Sequence, residues 1–236
     1  AGAMAATGTR VLVIDADTHA PDMVAMLGVL DDASGLVIAC RQAELGLLDE
    51  RALLSACRTL APGLMLLSGL SSPDRCPDVR HGGLERLWQV ARAVFDVVVV
   101  DVGADLGASP DQSVLGVDRN VATRTALDAA DAVVVVGRAS TVGIVRTAAT
   151  IERASATVPA IPQLVIVTAD RLRDARAAAT TRALRRLGVC APMHHLVRRP
   201  HALERAVRGC QDPYAAAARG ECRAIDGIAR VLTGQW

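Results

Sequence analysis

The sequence predicts an α/β protein built on a doubly wound, mainly parallel sheet with helices on both faces. Short aliphatic runs typical of buried parallel strands alternate along the chain with longer segments of helical periodicity. The 236 residues, 51% of them hydrophobic, are enough to form one sizeable core. We therefore expect a single α/β domain over residues 1–236.

Six aliphatic runs define the expected strands, and the segments between them are helical in spacing. The strands are Val11–Asp15, Leu64–Ser68, Val97–Asp101, Ala132–Gly137, Leu164–Thr168 and Met193–Val197. The helices are a proline-started segment that ends near Gly28, then Asp49–Leu60, Leu84–Val94, Arg171–Leu187 and Ala202–Arg208. A C-terminal helix is expected within 213–236, from about Pro213 to Leu232.

Two long connections interrupt this alternation. Ser71–Gly83 contains two prolines and a pair of glycines, which predicts a surface loop. Gly103–Asp118 is polar and follows the most strongly aliphatic strand directly. Doubly wound sheets hold their ligands in loops at the carboxyl ends of strands, so the second connection is a candidate binding loop.

Composition excludes several classes of function. The 26 basic and 25 acidic residues nearly cancel, so no net field favours nucleic acid or an anionic membrane. All the basic residues are arginines, because the chain contains no lysine. Two Trp, one Tyr and one Phe offer few platforms for stacking on nucleic-acid bases.

The cysteines and the apolar segments predict a cytoplasmic protein. The six cysteines are scattered without a C-x-x-C pair, which argues against a zinc site and against a small disulfide scaffold. No apolar run approaches the roughly 20 residues that cross a bilayer, and no basic-then-apolar leader is present. We leave open whether the first four residues, AGAM, are native.

Three carboxylates stand at the ends of two predicted strands. Asp101 closes the run of valines that begins at Val97, and Asp15 and Asp17 follow the first aliphatic run. A single such aspartate is most often the cap of the next turn. Carboxyl ends of neighbouring parallel strands lie together, and three carboxylates there favour a magnesium and phosphate site.

The chain resembles the MinD/ParA superfamily of P-loop ATPases in three segments, which occur in the family's order and spacing. They are VLVIDADTHAPDMVAMLG, FDVVVVDVGADLG and ALDAADAVVVVGRASTVGIVRTAATIE. Among the branches of that superfamily, the chain is most similar to the pilus-localisation CpaE/TadZ group and the related septum-site-determining proteins. The resemblance runs from Arg10 to about Gln211.

The resemblance implies roles for individual residues. Asp17 corresponds to the aspartate that orients the attacking water, and Asp15 to the one near the magnesium shell. Asp101 matches the Walker B aspartate, a second magnesium contact, and Gly103 matches the hinge of the switch that follows it.

The same resemblance implies a place for the nucleotide base. The family usually has an asparagine after the strand LVIVTADR, where this chain has Thr168, Ala169 and Asp170. The segment around Pro200 is similar to the loop beside the adenine. Asp170 and Pro200 are therefore the candidate contacts to the base.

The family's phosphate-binding loop has no counterpart in this sequence. Only AGAMAATG precedes the first strand, and we interpret it as the last turns of the helix after that loop, with Gly8 at its stop position. The motif G-x-x-x-x-G-K-[ST] requires a lysine. Without it we expect this chain not to bind ATP tightly.

Two explanations remain open at this point. Either the loop lies upstream in the natural protein, or the protein has lost it and acts as a pseudo-ATPase. Under the first, the resemblance implies a homodimeric protein that binds ATP and Mg²⁺ and hydrolyses ATP slowly. It would position pilus, septum or chromosome elements through protein partners of a localisation or secretion system. Under the second, the chain is a non-enzymatic scaffold that binds partner proteins without nucleotide.

Two further partners are less favoured than protein partners. Non-specific DNA binding through the arginines requires them to cluster in space, and a solvated helix face explains them equally well. These residues are Arg182, Arg185, Arg186, Arg198 and Arg199. The C-terminal helix has an apolar stripe but lacks the density of basic residues expected for binding at a membrane interface.

Overall fold

The protein is described here from a computed structural model. The structure describes residues 1–29, 33–107, 118–158, 163–169, 174–197 and 225–230. The chain divides into two compact units, of which unit 1 comprises Ala1–Ala129 and unit 2 the described residues from Ala130 onward. Each unit is described separately, and the single domain over 1–236 stays a prediction.

Unit 1 contains four strands, six α-helices and a short 3-10 helix among its described residues. The strands are β1 (Val11–Asp15), β2 (Arg58–Ala61), β3 (Leu64–Leu67) and β4 (Val97–Asp101). The helices are α1 (Gly2–Ala5), α2 (Met23–Leu27), α3 (Gly35–Glu44), α4 (Glu50–Ala56), α5 (His81–Val94) and α6 (Val121–Asp128). The 3-10 helix spans Pro73–Asp78.

The sheet of unit 1 has the order β2-β3-β1-β4. β1 pairs in parallel with both β3 and β4, whereas β2 and β3 are antiparallel. All five residues of β1 are buried, which explains why the run VLVID shows no alternation of apolar and polar residues.

Helices α3, α4 and α5 complete the core of unit 1. Their buried residues include Leu36, Leu53, Leu84 and Leu87, which belong to the same apolar cluster as Leu12 and Ile14 of β1. The Trp88 indole N–H of α5 donates to Thr125 Oγ1 of α6 at 3.2 Å, so a buried polar atom between these helices is satisfied.

Unit 2 contains three parallel strands and two long helices among its described residues. They are β5 (Val133–Arg138), α7 (Thr141–Thr157), β6 (Gln163–Ala169), α8 (Asp174–Arg186) and β7 (Met193–Val197). The strand order is β5-β6-β7. Residues 225–230 are also helical. The remainder of the predicted C-terminal helix and the segment Ala202–Arg208 lie outside the described residues.

The mainly parallel α/β prediction is confirmed, and the strands predicted from aliphatic runs differ from those observed only at their ends. One predicted helix was wrong in its second half, because α4 ends at Ala56 and Arg58–Ala61 forms β2 instead. Gly63 has a positive φ of 74° and reverses the chain, so that β2 pairs with β3.

The connection Ser71–Gly83 was also predicted incorrectly as a loop throughout. Pro73 begins a 3-10 helix, whose preceding Ser72 accepts a hydrogen bond from the Asp74 amide. Helix α5 then begins at His81, within the predicted loop. Helix α3 was not predicted either.

The segment before β1 contains one short helix, α1. Helix α1 is followed by Gly8, whose φ of 90° is typical of a glycine that terminates a helix. None of the helices in the described ranges combines the length and the apolar character that spanning a membrane requires.

Candidate functional site

The candidate site lies at the carboxyl ends of β1 and β4. These strands run in parallel with Asp15 directly opposite Asp101. The amide of Ala16 donates to the carbonyl of Asp101 at 2.8 Å, so the pairing extends one residue beyond β1. Two of the three predicted carboxylates are thus held side by side by the register of a buried sheet.

Asp15 is the most enclosed of these carboxylates, with 1% of its surface exposed. Its Oδ1 accepts a hydrogen bond from the Asp17 amide at 3.3 Å, and its Oδ2 accepts one from the Met23 amide at 3.2 Å. A Cβ placed on Gly69 would lie 2.6 Å from the Asp15 carboxyl carbon. Only a glycine at position 69 therefore leaves room for this carboxylate.

Asp17 organises the loop after β1. Its Oδ1 accepts hydrogen bonds from the amides of His19 at 2.8 Å and Ala20 at 3.1 Å. A Cβ on Gly103 would approach the same oxygen to 3.3 Å, which places the loop after β4 directly against Asp17. The structure therefore brings together Asp15, Asp17, Asp101 and Gly103; their roles at a site stay a prediction.

Among the described residues, the electrostatics of the site are dominated by burial and by repulsion between carboxylates. The pKa of Asp15 is raised to about 6, chiefly by burial; the nearby Asp101 and Asp22 charges act in the same direction, and the hydrogen bonds from the Met23 and Asp17 amides oppose it. Partial burial likewise raises the pKa of Asp101, with added repulsion from Asp17 and Asp22. A bound divalent cation would reverse this balance, because it favours the ionised carboxylates.

Sequence reasoning missed several residues of the site. Asp22, which precedes α2, contributes negative charge, and its position soon after Asp17 could have indicated this. Gly69 follows β3 without any recognisable motif. Asn120 contacts His19 across 101 residues of sequence, so no local pattern could have revealed it.

The predicted base contacts are not tested by the structure. Asp170 and Pro200 lie outside the described residues. Thr168, at the end of β6, donates its hydroxyl to the Gly137 carbonyl at 3.2 Å.

Magnesium is the ion that this arrangement fits. Mg²⁺ keeps several waters and is commonly held by one or two protein carboxylates together with phosphate oxygens of a substrate. Within the described ranges, no three or more His, Cys, Asp or Glu side chains are grouped so as to hold a metal by themselves. Two carboxylates at this position would need further ligands, such as phosphate oxygens, to complete a Mg²⁺ site.

Comparison with known proteins finds close likeness in structure but not in sequence. Neither family models nor curated proteins match the sequence. A ParA family ATPase from Chlorobium tepidum superposes with a TM-score of 0.76 at 16% identity, covering 94% of this chain and 85% of its own. The septum site-determining protein MinD from Pyrococcus horikoshii, complexed with Mg-ADP, gives 0.70 at 15% identity, covering 98% and 88%.

The MinC:MinD cell division protein complex from Aquifex aeolicus gives a similar result. Its TM-score is 0.69 at 16% identity, with 100% of this chain and 87% of that one covered. The chain is thus an α/β protein with an acidic site at the ends of parallel strands. More narrowly, it shares the fold of these ParA and MinD structures.

Proposed function

We propose that this protein is a MinD/ParA-like positioning protein that binds and slowly hydrolyses ATP with Mg²⁺, provided that a P-loop precedes Ala1 in the full protein. The placement of Asp15 opposite Asp101, with Asp17 against Gly103, supports the proposal best. The fold shared with a MinD structure that contains Mg-ADP supports the choice of ligand.

Asp101 and Asp15 would serve the metal in different ways. Asp101 is exposed at the end of β4, so its carboxylate can reach a hydrated ion. Asp15 lies buried beside it and already accepts two backbone hydrogen bonds. We therefore assign Asp101 the more direct contact and Asp15 a role in the charge and hydrogen bonding around the ion. When bound, Mg²⁺ would neutralise charge on the phosphate oxygens.

Asp17 is the candidate for orienting the attacking water. Its Oδ1 accepts hydrogen bonds from the backbone amides of His19 and Ala20, which hold the carboxylate in one position. Its Oδ2 would then be the oxygen that accepts a hydrogen bond from the water. Gly103 would let the following loop move relative to this carboxylate, because the residue contributes no side chain to the contact. Asp170 and Pro200 remain the proposed base contacts.

The finer biological role is inferred from the resemblance. We propose a CpaE/TadZ-type or septum-related role in localising pilus, septum or chromosome elements, in the cytoplasm, as a homodimer that binds protein partners. The structure of MinD in complex with MinC is consistent with partner binding by proteins of this fold.

A second function is favoured by one observation. The chain has no lysine, and a P-loop needs one to contact the phosphates. A protein that keeps the MinD/ParA fold without that loop would act as a scaffold for partner proteins and would bind no nucleotide.

Calorimetry of Mg²⁺-dependent ATP binding tests these functions. It should be made on this chain and on the chain extended upstream by whatever the gene encodes. We expect binding in the extended protein only. Absence of binding in both, with the extended protein folded and dimeric, would rule out the ATPase proposal and leave the scaffold.

Substitutions in the extended protein assign the roles. Asp101→Asn should weaken Mg²⁺-dependent binding by about tenfold or more. Asp96→Asn is the matched control, because Asp96 precedes the same strand at its opposite end and pairs there with Arg10. It should change binding by less than about twofold. Asp17→Ala should retain binding and lower the hydrolysis rate by about a hundredfold.

A further inference from the structure

The side chain of Asn120 is used in an unusual way. Asn120 immediately precedes α6, a position at which asparagine commonly accepts a hydrogen bond from the first turn of the helix. Here its side chain makes no such bond. The residue is nonetheless 1% exposed, so its amide must find partners elsewhere in the protein.

Both ends of that amide find partners, and the partners belong to two different loops. The Asn120 Nδ2 donates to the carbonyl of Gly107, in the loop after β4, at 2.6 Å. The Oδ1 lies 2.7 Å from Nε2 of His19, in the loop after β1. Because the amide oxygen can only accept, the His19 ring donates through Nε2–H.

The segment that carries Asn120 is itself held in place. The backbone N–H of Asn120 donates to Asp118 Oδ1 at 3.0 Å, and the Asp118 carboxylate forms an ion pair with Arg124 of α6. The Thr18 hydroxyl, beside His19, donates to the carbonyl of Arg119. Asn120 is therefore held in place at the start of α6 by its neighbours.

The two loops that Asn120 joins both contact Asp17. The backbone amide of His19 donates to Asp17 Oδ1, and Gly103 of the other loop lies so near that an added Cβ would come within 3.3 Å of the same oxygen. A displacement of either loop would thus alter the surroundings of Asp17.

We propose that Asn120 is a positioning residue that joins the loop after β1 to the loop after β4, so that a change in one is transmitted to the other. The link itself stands on the contacts of Asn120. The importance of this link for hydrolysis rests on the proposed function. There Asn120 would keep the carboxylate of Asp17 in a fixed position relative to the loop after β4.

Solvent exchange of backbone amide protons, measured by NMR on this 236-residue chain without nucleotide, tests the link. His19→Ala removes a contact to Asn120 and leaves Gly107 untouched. We expect it to accelerate exchange of the Gly107 amide, which donates to Asp105, by about threefold to tenfold. Asn120→Ala should accelerate exchange of the Gly107, His19 and Ala20 amides by about tenfold.

Two further variants separate this role from a merely structural one. His19→Gln keeps a side-chain N–H within reach of Asn120 Oδ1 and should return the exchange rate of the Gly107 amide to that of the unsubstituted chain. Ser34→Ala removes the buried residue that caps α3 in the same unit and should leave the Gly107 and Ala20 amides unchanged. Unchanged exchange at Gly107 in His19→Ala, with the protein folded, would overturn the proposal.

Kinetics in the extended protein then test the consequence for hydrolysis. Asn120→Ala should lower kcat by about tenfold and leave KM for ATP within about twofold, because the affected carboxylate acts on water rather than on the nucleotide. A changed KM with an unchanged kcat would overturn that consequence. Since exchange is measured without ATP, a protein that lacks ATPase activity can still confirm or refute the link between the loops.

Discussion

The two units of this protein differ in where they place charge and apolar surface. In unit 1 the parallel strands β1 and β4 end in Asp15 and Asp101, above a core that includes three packed helices. In unit 2 the strands β5 and β6 end at Arg138 and Ala169, and the core cluster formed by the described residues is smaller. Unit 2 also exposes Val136, Val142 and Val145. The same strand-and-helix architecture thus carries the candidate carboxylates at strand ends in unit 1 and an exposed apolar residue within a strand, Val136, in unit 2, whereas the exposed apolar side chains of unit 1, such as Ile38 and Leu45, lie outside its strands.

The largest difference between the two units should appear in how much a core substitution lowers the free energy of unfolding. Leu84 on α5 and Leu184 on α8 are both completely buried, which makes them a matched pair. Leu84→Ala should lower the free energy of unfolding by about 3 to 5 kcal/mol, and Leu184→Ala by about 2 to 3 kcal/mol, since fewer core side chains surround it. Urea unfolding followed by circular dichroism and amide exchange measures both. Equal losses would show that the smaller cluster is packed as fully as the larger one.

The packing around the Asp15 carboxylate should depend on the absence of a side chain at Gly69. Gly69→Ala would place a Cβ against the Asp15 carboxyl group and should cost about 1 to 3 kcal/mol of stability. Gly82→Ala is the control, because nothing lies within 4 Å of the added Cβ and the position is helical. It should be neutral or stabilising by up to about 1 kcal/mol. Similar effects from both substitutions would contradict the close contact between Gly69 and Asp15.

The buried carboxylate of Asp15 should make the stability of unit 1 depend on pH. The pKa of Asp15 rises from 3.8 to about 6, so folding favours its protonated form. The resulting stabilisation is complete below about pH 4 and is lost as the pH rises through about 6. After allowance for solvent screening, the expected loss is on the order of 1 kcal/mol.

Unfolding free energies between pH 5 and 7 test this prediction. In that range Asp96 and Asp118, whose pKa values are lowered by their arginine partners, stay ionised and do not contribute to the slope. Asp15→Asn should remove most of the Asp15 contribution to the slope, whatever its effect on absolute stability. An identical slope in this variant would assign the pH dependence to other groups.

The smallest effect is expected on the exposed face of β5. Val135 and Val136 are adjacent, yet the first is 7% exposed and the second 65%. Val136→Thr should change stability by less than about 0.5 kcal/mol, whereas Val135→Thr should cost about 1 to 2 kcal/mol because it buries a hydroxyl. A large loss from Val136→Thr would show that this face is covered in solution.

Much of the fold follows from local pattern. Buried parallel strands need aliphatic residues on both faces, and β1 was found from that property. The same property located β4 and β5, although β5 leaves Val136 65% exposed. The second half of the predicted helix Asp49–Leu60 was wrong because its apolar spacing fits a helix, whereas pairing with β3 decides the structure of Arg58–Ala61. Helix α3 was not predicted, because its first residues are all apolar and so show no amphipathic periodicity.

The residues of the candidate site likewise fall into those that the sequence could predict and those that it could not. Asp15, Asp17 and Asp101 could be predicted, because carboxylates that follow aliphatic strands must meet wherever those strands are parallel neighbours. The roles of Gly69 and Asn120 could not, since neither residue stands in a recognisable motif. Their partners are distant in sequence, and only the packed protein brings them together.

The sequence by itself therefore determined the class of fold, the principal strands and the three carboxylates at their ends, because these depend on the periodicity of neighbouring residues. The tertiary structure alone decided that β1 lies between β3 and β4, that Gly69 makes room for Asp15, and that Asn120 joins two loops. Strand order and side-chain contacts depend on which distant surfaces pack together, and that is a property of the folded chain rather than of any local segment.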